Sequence, residues 1–256
     1  MHSLNTRANA LAQIHSGSTV ADVSRRLHLP YGTVKDWVHR ERRHDRRIRH
    51  PCPVCEGGRL APAPYTYLLG LYLGDGHIAQ PPRHRAASLL IVCAEAWPGL
   101  IDACAEAMRQ VFPDNSVGVT HRGGCRNVKV YSRHVLCLFP QHGPGKKHER
   151  RIALAPWQQR LVHDHPWEFV RGLVHSDGCR ITNWATREVG GVRKRYEYPR
   201  YFFTNKSVDI TRLYTDTLTR LGVEWRTHAR GDGGTNVSVA RRASVALMDA
   251  HVGPKR

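Results

Sequence analysis

Two aspartates stand where a helix has little use for them. In "YLLGLYLGDGHI", Tyr67 to Ile78, an apolar run ends at Gly74-Asp75-Gly76; in "FVRGLVHSDGCRI" a second run ends at Asp177-Gly178. Each run reads as a buried helix, and the C-terminal end of a helix is the negative end of its dipole, so a carboxylate there costs stability. A helix stopped by a glycine cap explains either stretch alone, but not their repetition. Gly70 and Gly74 are four residues apart, as are Gly172 and Ser176. Small residues at that spacing let two helix backbones approach closely. If the two helices pack about a pseudo-twofold axis, Asp75 and Asp177 meet at one end, where two carboxylates repel. A divalent cation between them relieves the repulsion, and oxygen ligands completed by water suit Mg²⁺. Carboxylates holding metal beside a phosphate are what metal-assisted phosphodiester cleavage requires.

The elements that must position these acids also repeat. After Asp75 come a strand-like "ASLLIVCA", a helix-like "PGLIDACAEAMRQVF" and two short strands ending in "NVKVYSR"; after Asp177 come "RYFFTN", "SVDITRLYTDTLTRLGV", "EWRTH" and "NVSVARR". Asn127-Val128-x-Val130 matches Asn236-Val237-x-Val239, Lys129 matches Ser238, and Arg133 matches Arg242. Each half therefore reads helix, two strands, helix, two strands, helix. The sequence predicts an α+β core of two αββαββα halves, residues 64–143 and 167–256, joined by a basic linker over 144–166 that contains Lys146 and Lys147.

"LLGLYLGDG" and "VRGLVHSDG" resemble the two signature motifs of LAGLIDADG homing endonucleases in their monomeric, two-motif form, and the similarity runs from about residue 65 to 252. The resemblance implies two antiparallel, saddle-shaped sheets that straddle double-stranded DNA. It assigns the metal-binding catalytic acids to Asp75 and Asp177, and it makes Lys129 and Arg242 the basic residues that assist the scissile phosphate. The sixth motif position, frequently acidic in the family, is Leu73 in one half and His175 in the other. Site-specific, Mg²⁺-dependent cleavage of duplex DNA is the function implied. The alternative is a regulator of transcription on the same scaffold that binds without cutting, and a third reading is an RNA-binding splicing helper.

An N-terminal segment, residues 1–50, adds a second kind of signal. In "TVADVSRRLHLPYGTVKDWVHR", Val20, Val23 and Leu27 share one helical face and Val34, Trp37 and Val38 another. Pro30 and Gly32 break the helix between them and Thr33 is available as an N-cap. The pattern predicts a helix-turn-helix, with Tyr31, Thr33, Lys35 and Asp36 near bases or phosphates. "HRERRHDRRIRH" extends it with Arg40, Arg42, Arg43, Arg46 and Arg47 as phosphate contacts. Charge agrees: 39 Lys and Arg against 21 Asp and Glu leave +18, which favours a polyanionic partner.

Between the two segments, a hinge over residues 51–63 holds "PCPVCEGG". Cys52 and Cys55 have zinc-knuckle spacing, and the two further ligands would come from Cys137 and His142. The odd count of seven cysteines excludes a complete disulfide framework. No run of residues is apolar and long enough to span a membrane, and "MHSLNTRANA" lacks the apolar stretch of a secretory signal. The expectation is a cytoplasmic, nucleoid-associated monomer whose partner is DNA, with no membrane and no small-molecule substrate.

Overall fold

The computed structural model describes residues 2–81 and 86–256, except the side chains of 43–49. The chain divides into two compact units, Met1–Arg59 and Leu60–Arg256. Among the described residues no helix is long and apolar enough to cross a membrane.

The first unit contains three helices, α1 (Leu4–His15), α2 (Val20–Arg26) and α3 (Tyr31–Arg49). Ala10, Val23, Leu29 and Val34 form its small core, with Ile14, Val20, Leu27 and Trp37 packed against them. Sequence reasoning passed over α1, whose apolar residues make only a weak stripe, although Ser3 caps it by accepting from the Thr6 N–H. It also misplaced the break between α2 and α3. Gly32 lies inside α3, and Thr33 is in the first turn with its N–H donating to Pro30 O, so it cannot be the N-cap. The chain turns at His28 instead. This residue adopts the left-handed conformation (φ 50°), and Leu29 N–H closes the end of α2 on Ser24 O.

The second unit opens with α4 (Pro62–Leu73), followed by β1 (Gly76–Ala79), β2 (Ala87–Ala94), α5 (Pro98–Val111), β3 (Val117–Arg122), β4 (Cys125–Ser132) and the short α6 (Val135–Leu138). A linker carries α7 (Pro156–Asp164). The same order then recurs: α8 (Pro166–Asp177), β5 (Gly178–Val189), β6 (Val192–Asn205), α9 (Val208–Arg220), β7 (Arg226–Ala229), β8 (Thr235–Val239) and α10 (Arg242–His251). The two antiparallel sheets have matching orders, β1-β2-β4-β3 and β5-β6-β8-β7.

Register fixes the correspondence between halves residue by residue. Gly76 pairs with Ile91 and Ile91 with Val128; Gly178 pairs with Phe203 and Phe203 with Val237. Ile91 is thus the counterpart of Phe203, and Val128 that of Val237. Alternation sends Leu89, Ile91, Val128 and Val130 into the core with Tyr201, Phe203, Val237 and Val239. The opposite faces are left to solvent. At the centre lies α4, apolar all round and buried from Tyr65 to Leu73, packed along α8.

Candidate functional site

The approach of α4 to α8 depends on their glycines. A Cβ on Gly70 would stand 2.6 Å from Phe169 O, and one on Gly172 only 2.2 Å from Tyr67 O. No side chain fits at either position, so the two backbones are in direct contact there. One turn later, a Cβ on Gly74 would meet the Ser176 Oγ at 2.0 Å and the Asp177 Cγ at 3.2 Å. The Ser176 hydroxyl is itself turned back onto Gly172 O and Leu173 O. The helices therefore bring their C-terminal ends together: α8 ends on Asp177, and Asp75 follows the Gly74 cap of α4.

Burial dominates the electrostatics at this junction. Burial pushes the Asp177 carboxyl up to about 6, and the neighbouring Asp75 charge adds to the rise; Asn205, Lys147 and Lys255 oppose it. Asp75 meets solvent, yet the protein around it raises its pKa too, against the pull of Lys255 and Lys147. His175, at the sixth motif position, is neutral: burial, then Arg171, lowers it to about 4, and its Nδ1 lies 3.0 Å from the Tyr67 hydroxyl.

Two lysines that sequence reasoning did not place here complete the junction. Lys147 Nζ donates to the carbonyls of Tyr72 (2.7 Å) and Gly74, which are orphaned at the end of α4, and to that of Gly76 (3.0 Å) at the start of β1. Burial lowers its pKa to about 8, although Asp177 and Asp75 favour the charged form. Lys255 Nζ donates to Ser176 O at the end of α8 (2.8 Å), and its pKa is likewise lowered by burial. A signal was present in the sequence: "GPGKK" and "GPKR" place Lys147 and Lys255 108 residues apart, close to the 102 between the acids. The positive charge that the acids seemed to require from a metal alone is thus partly supplied by the protein. The acid pKa values stay raised because burial outweighs the pull of the two lysines.

Beside Asp177 opens a cleft of roughly 620 Å³ whose lining includes His77, His142, Lys146, Lys147, Arg150 and Lys206. Lys146 is exposed and pairs with Glu149 (3.2 Å), unlike its half-buried neighbour Lys147. Of the two other basic residues expected near the acids, Lys129 lies on the open face of the first sheet. It shares a cross-strand row with Leu90 and His77, about 10 Å from the latter at two strand spacings, and its Nζ lies 4.5 Å from the Tyr131 ring centroid. Arg242 is not brought to the acids. β8 begins at Thr235 opposite Asn205, which touches Asp177, and runs away to Val239; Arg242 lies beyond that far end, exposed on the first turn of α10.

In the first unit, Tyr31, Lys35, Arg40 and Arg42 are exposed on α3 and Thr33 is half-buried; Arg40 pairs with Asp36 at 2.8 Å. Arg43, Arg46 and Arg47 lie outside the described side chains. Tyr31, Lys35 and Arg42 line a groove of about 720 Å³ with Ser18 and Thr19 from the start of α2. Cys52 and Cys55 lie in a tight turn, where Glu56 N–H and Gly58 N–H both donate to Cys52 O. In the second unit, the nitrogen beside Cys137 belongs to His134 (Sγ to Nδ1 4.0 Å), not to His142.

The second unit has the LAGLIDADG homing endonuclease fold. A structure of I-DmoI in complex with DNA and Mn superposes with a TM-score of 0.51 at 15% identity, covering 75% of this chain and 97% of that one. Mesophilic variants of the homing endonuclease I-DmoI give 0.51 at 16%, covering 75% and 96%. The sequence matches no family model and no curated protein.

Proposed function

We propose that this chain is a site-specific endonuclease that hydrolyses phosphodiester bonds of double-stranded DNA with the aid of Mg²⁺. The observation that carries the reading is the meeting of Asp75 and Asp177 at one end of a glycine-packed helix pair, each at the start of a sheet whose outer face is open. The donor set fits a hard cation: two carboxylates meet at one junction, and burial raises the pKa of each, a cost to their charged forms that a bound cation offsets. When bound there, a divalent cation supplies Lewis acidity and an activated water. Asp75 and Asp177 hold it, one from each half. Lys147 and Lys255 fix the two carbonyl ends and add positive charge toward the phosphate, and Lys129 contacts the DNA from the open face. That I-DmoI was solved with DNA and Mn on the same fold supports this assignment.

The first unit adds a DNA contact of its own through Tyr31, Thr33, Lys35, Arg40 and Arg42, with Arg43, Arg46 and Arg47 continuing the basic helix along phosphates. Cys52 and Cys55 supply two ligands of a structural zinc, whose loss on Cys52→Ser is measured by metal content. Retention of both acids favours cleavage over regulation without cutting. The test is selection of bound fragments from random duplex DNA, followed by Mg²⁺. Cuts at one position in the selected site support the enzyme. Binding that leaves the site intact in Mg²⁺ and Mn²⁺ supports the regulator, and preference for single-stranded RNA overturns both.

A further inference from the structure

The two acids are not held alike. Asn205 Nδ2 donates to Asp177 Oδ2 at 2.5 Å, and the other end of the same amide, Oδ1, accepts the Ser207 N–H at 2.7 Å. With both ends of its amide engaged, Asn205 has one orientation, and it holds one carboxylate oxygen of Asp177 in place.

Sheet register identifies what stands at this position in the other half. Phe203 and Ile91 are counterparts, because each pairs with the glycine that follows its acid. Two residues on, and on the same core-facing side, Asn205 corresponds to Cys93. The Cys93 thiol is buried and hydrogen-bonded to that of Cys104 on α5, while the Asp75 charge is close enough to act on it. A thiol is a weak donor, and among the described residues this one makes no hydrogen bond to Asp75. Among the described residues, no side chain donates a hydrogen bond to Asp75, which is open to solvent.

We infer that Asn205 is a positioning residue for Asp177 with no equivalent in the first half, so that the two DNA strands are cut at unequal rates, the strand served by Asp177 first. A carboxylate already aimed needs no reorientation before it acts, and partners of this kind change metal affinity or activity by about 10- to 100-fold when removed. The inference rests on the endonuclease reading and deepens it.

The experiment is strand-resolved cleavage of a selected duplex, with a different label on each strand. Wild-type protein is expected to nick one strand at least several-fold faster than the other. Asn205→Ala should slow the fast strand by about 10- to 100-fold and slow the other strand, which depends on Asp177 only through the shared cation, by clearly less, so that the strand ratio narrows. Damage to the fold would slow both strands equally, so the ratio of rates isolates positioning. Cys93→Asn approaches from the other side: it places an amide beside Asp75 and should accelerate the slow strand. Equal strand rates in the wild type, or equal slowing of both strands by Asn205→Ala, overturn the inference. Failure of the wild type to cut either strand overturns the endonuclease reading instead.

Discussion

The two halves of the core agree in their frames and differ in what the frames present. Agreement is closest where backbones touch and charges must balance. Gly70 lies against Gly172, the Val128 row matches the Val237 row, and a lysine closes the end of each central helix, Lys147 on α4 and Lys255 on α8. Divergence is greatest on the open faces. The hairpin of β5 and β6 pairs over twelve residues, turns at Gly190-Gly191 with both φ positive, and carries Arg187, Lys194, Tyr196 and Arg200 into solvent or half-exposed positions; β1 pairs over only four. A duplicated scaffold keeps what its own folding needs and is free to change where it meets a partner. Two unequal faces suit a target site without twofold symmetry.

The comparison breaks most sharply at the acids. Asp75→Asn and Asp177→Asn each remove a negative ligand and keep the shape, and each should abolish cleavage of both strands, a loss of at least about 10³-fold, while metal-free binding to the selected duplex is unchanged or tighter. A variant that retains cleavage of one strand would show that the halves work independently.

The lysines come next. Lys147→Met and Lys255→Met remove equivalent cations from opposite ends, and each should reduce the cleavage rate by about 10²-fold with little change in duplex affinity. Loss of affinity without loss of rate would make them ordinary phosphate contacts.

The glycines test the frame. Gly172→Ala drives a methyl into Tyr67 O and Gly70→Ala one into Phe169 O. Overpacking of this kind costs about 1–3 kcal/mol, so denaturant unfolding should show both variants destabilised, Gly172→Ala the more because its approach is closer. Unchanged stability would mean that the helices part without penalty.

The smallest effect belongs to the first unit. Lys35→Ala should weaken duplex binding and reduce the slope of log affinity against log salt by about 1. An unchanged slope would remove Lys35 from the DNA contacts.

Much of this architecture was legible because it rests on spacing. Glycines four apart, an acid after each apolar run and matching strand segments in each half are local patterns, and they led to the two αββαββα halves. What escaped depends on contacts between distant parts of the chain. Lys147 looked like a solvated charge in "KKHERR", although it is half-buried and bonded to the carbonyls of Tyr72, Gly74 and Gly76, and Arg242 matched Arg133 in sequence yet lies at the far end of its strand. The long β5–β6 hairpin was also missed, because beyond the core both of its faces meet solvent and its residues lose the alternation that marks a half-buried strand. The pairing of Asn205 with Asp177 could be found only from register.

Thermal unfolding with and without Mg²⁺ tests the central claim, that two acids from two halves share one cation, most directly. Because the Asp177 pKa is raised to about 6 in the fold, the folded state binds a proton more tightly than the unfolded chain, and this group's contribution to stability falls as pH rises toward 6. At pH 7.5 in EDTA the wild type should therefore melt below Asp177→Asn. Saturating Mg²⁺ should raise the wild-type Tm and leave that of Asp177→Asn unmoved. A wild type that melts above Asp177→Asn in EDTA and ignores Mg²⁺ would contradict the shared site.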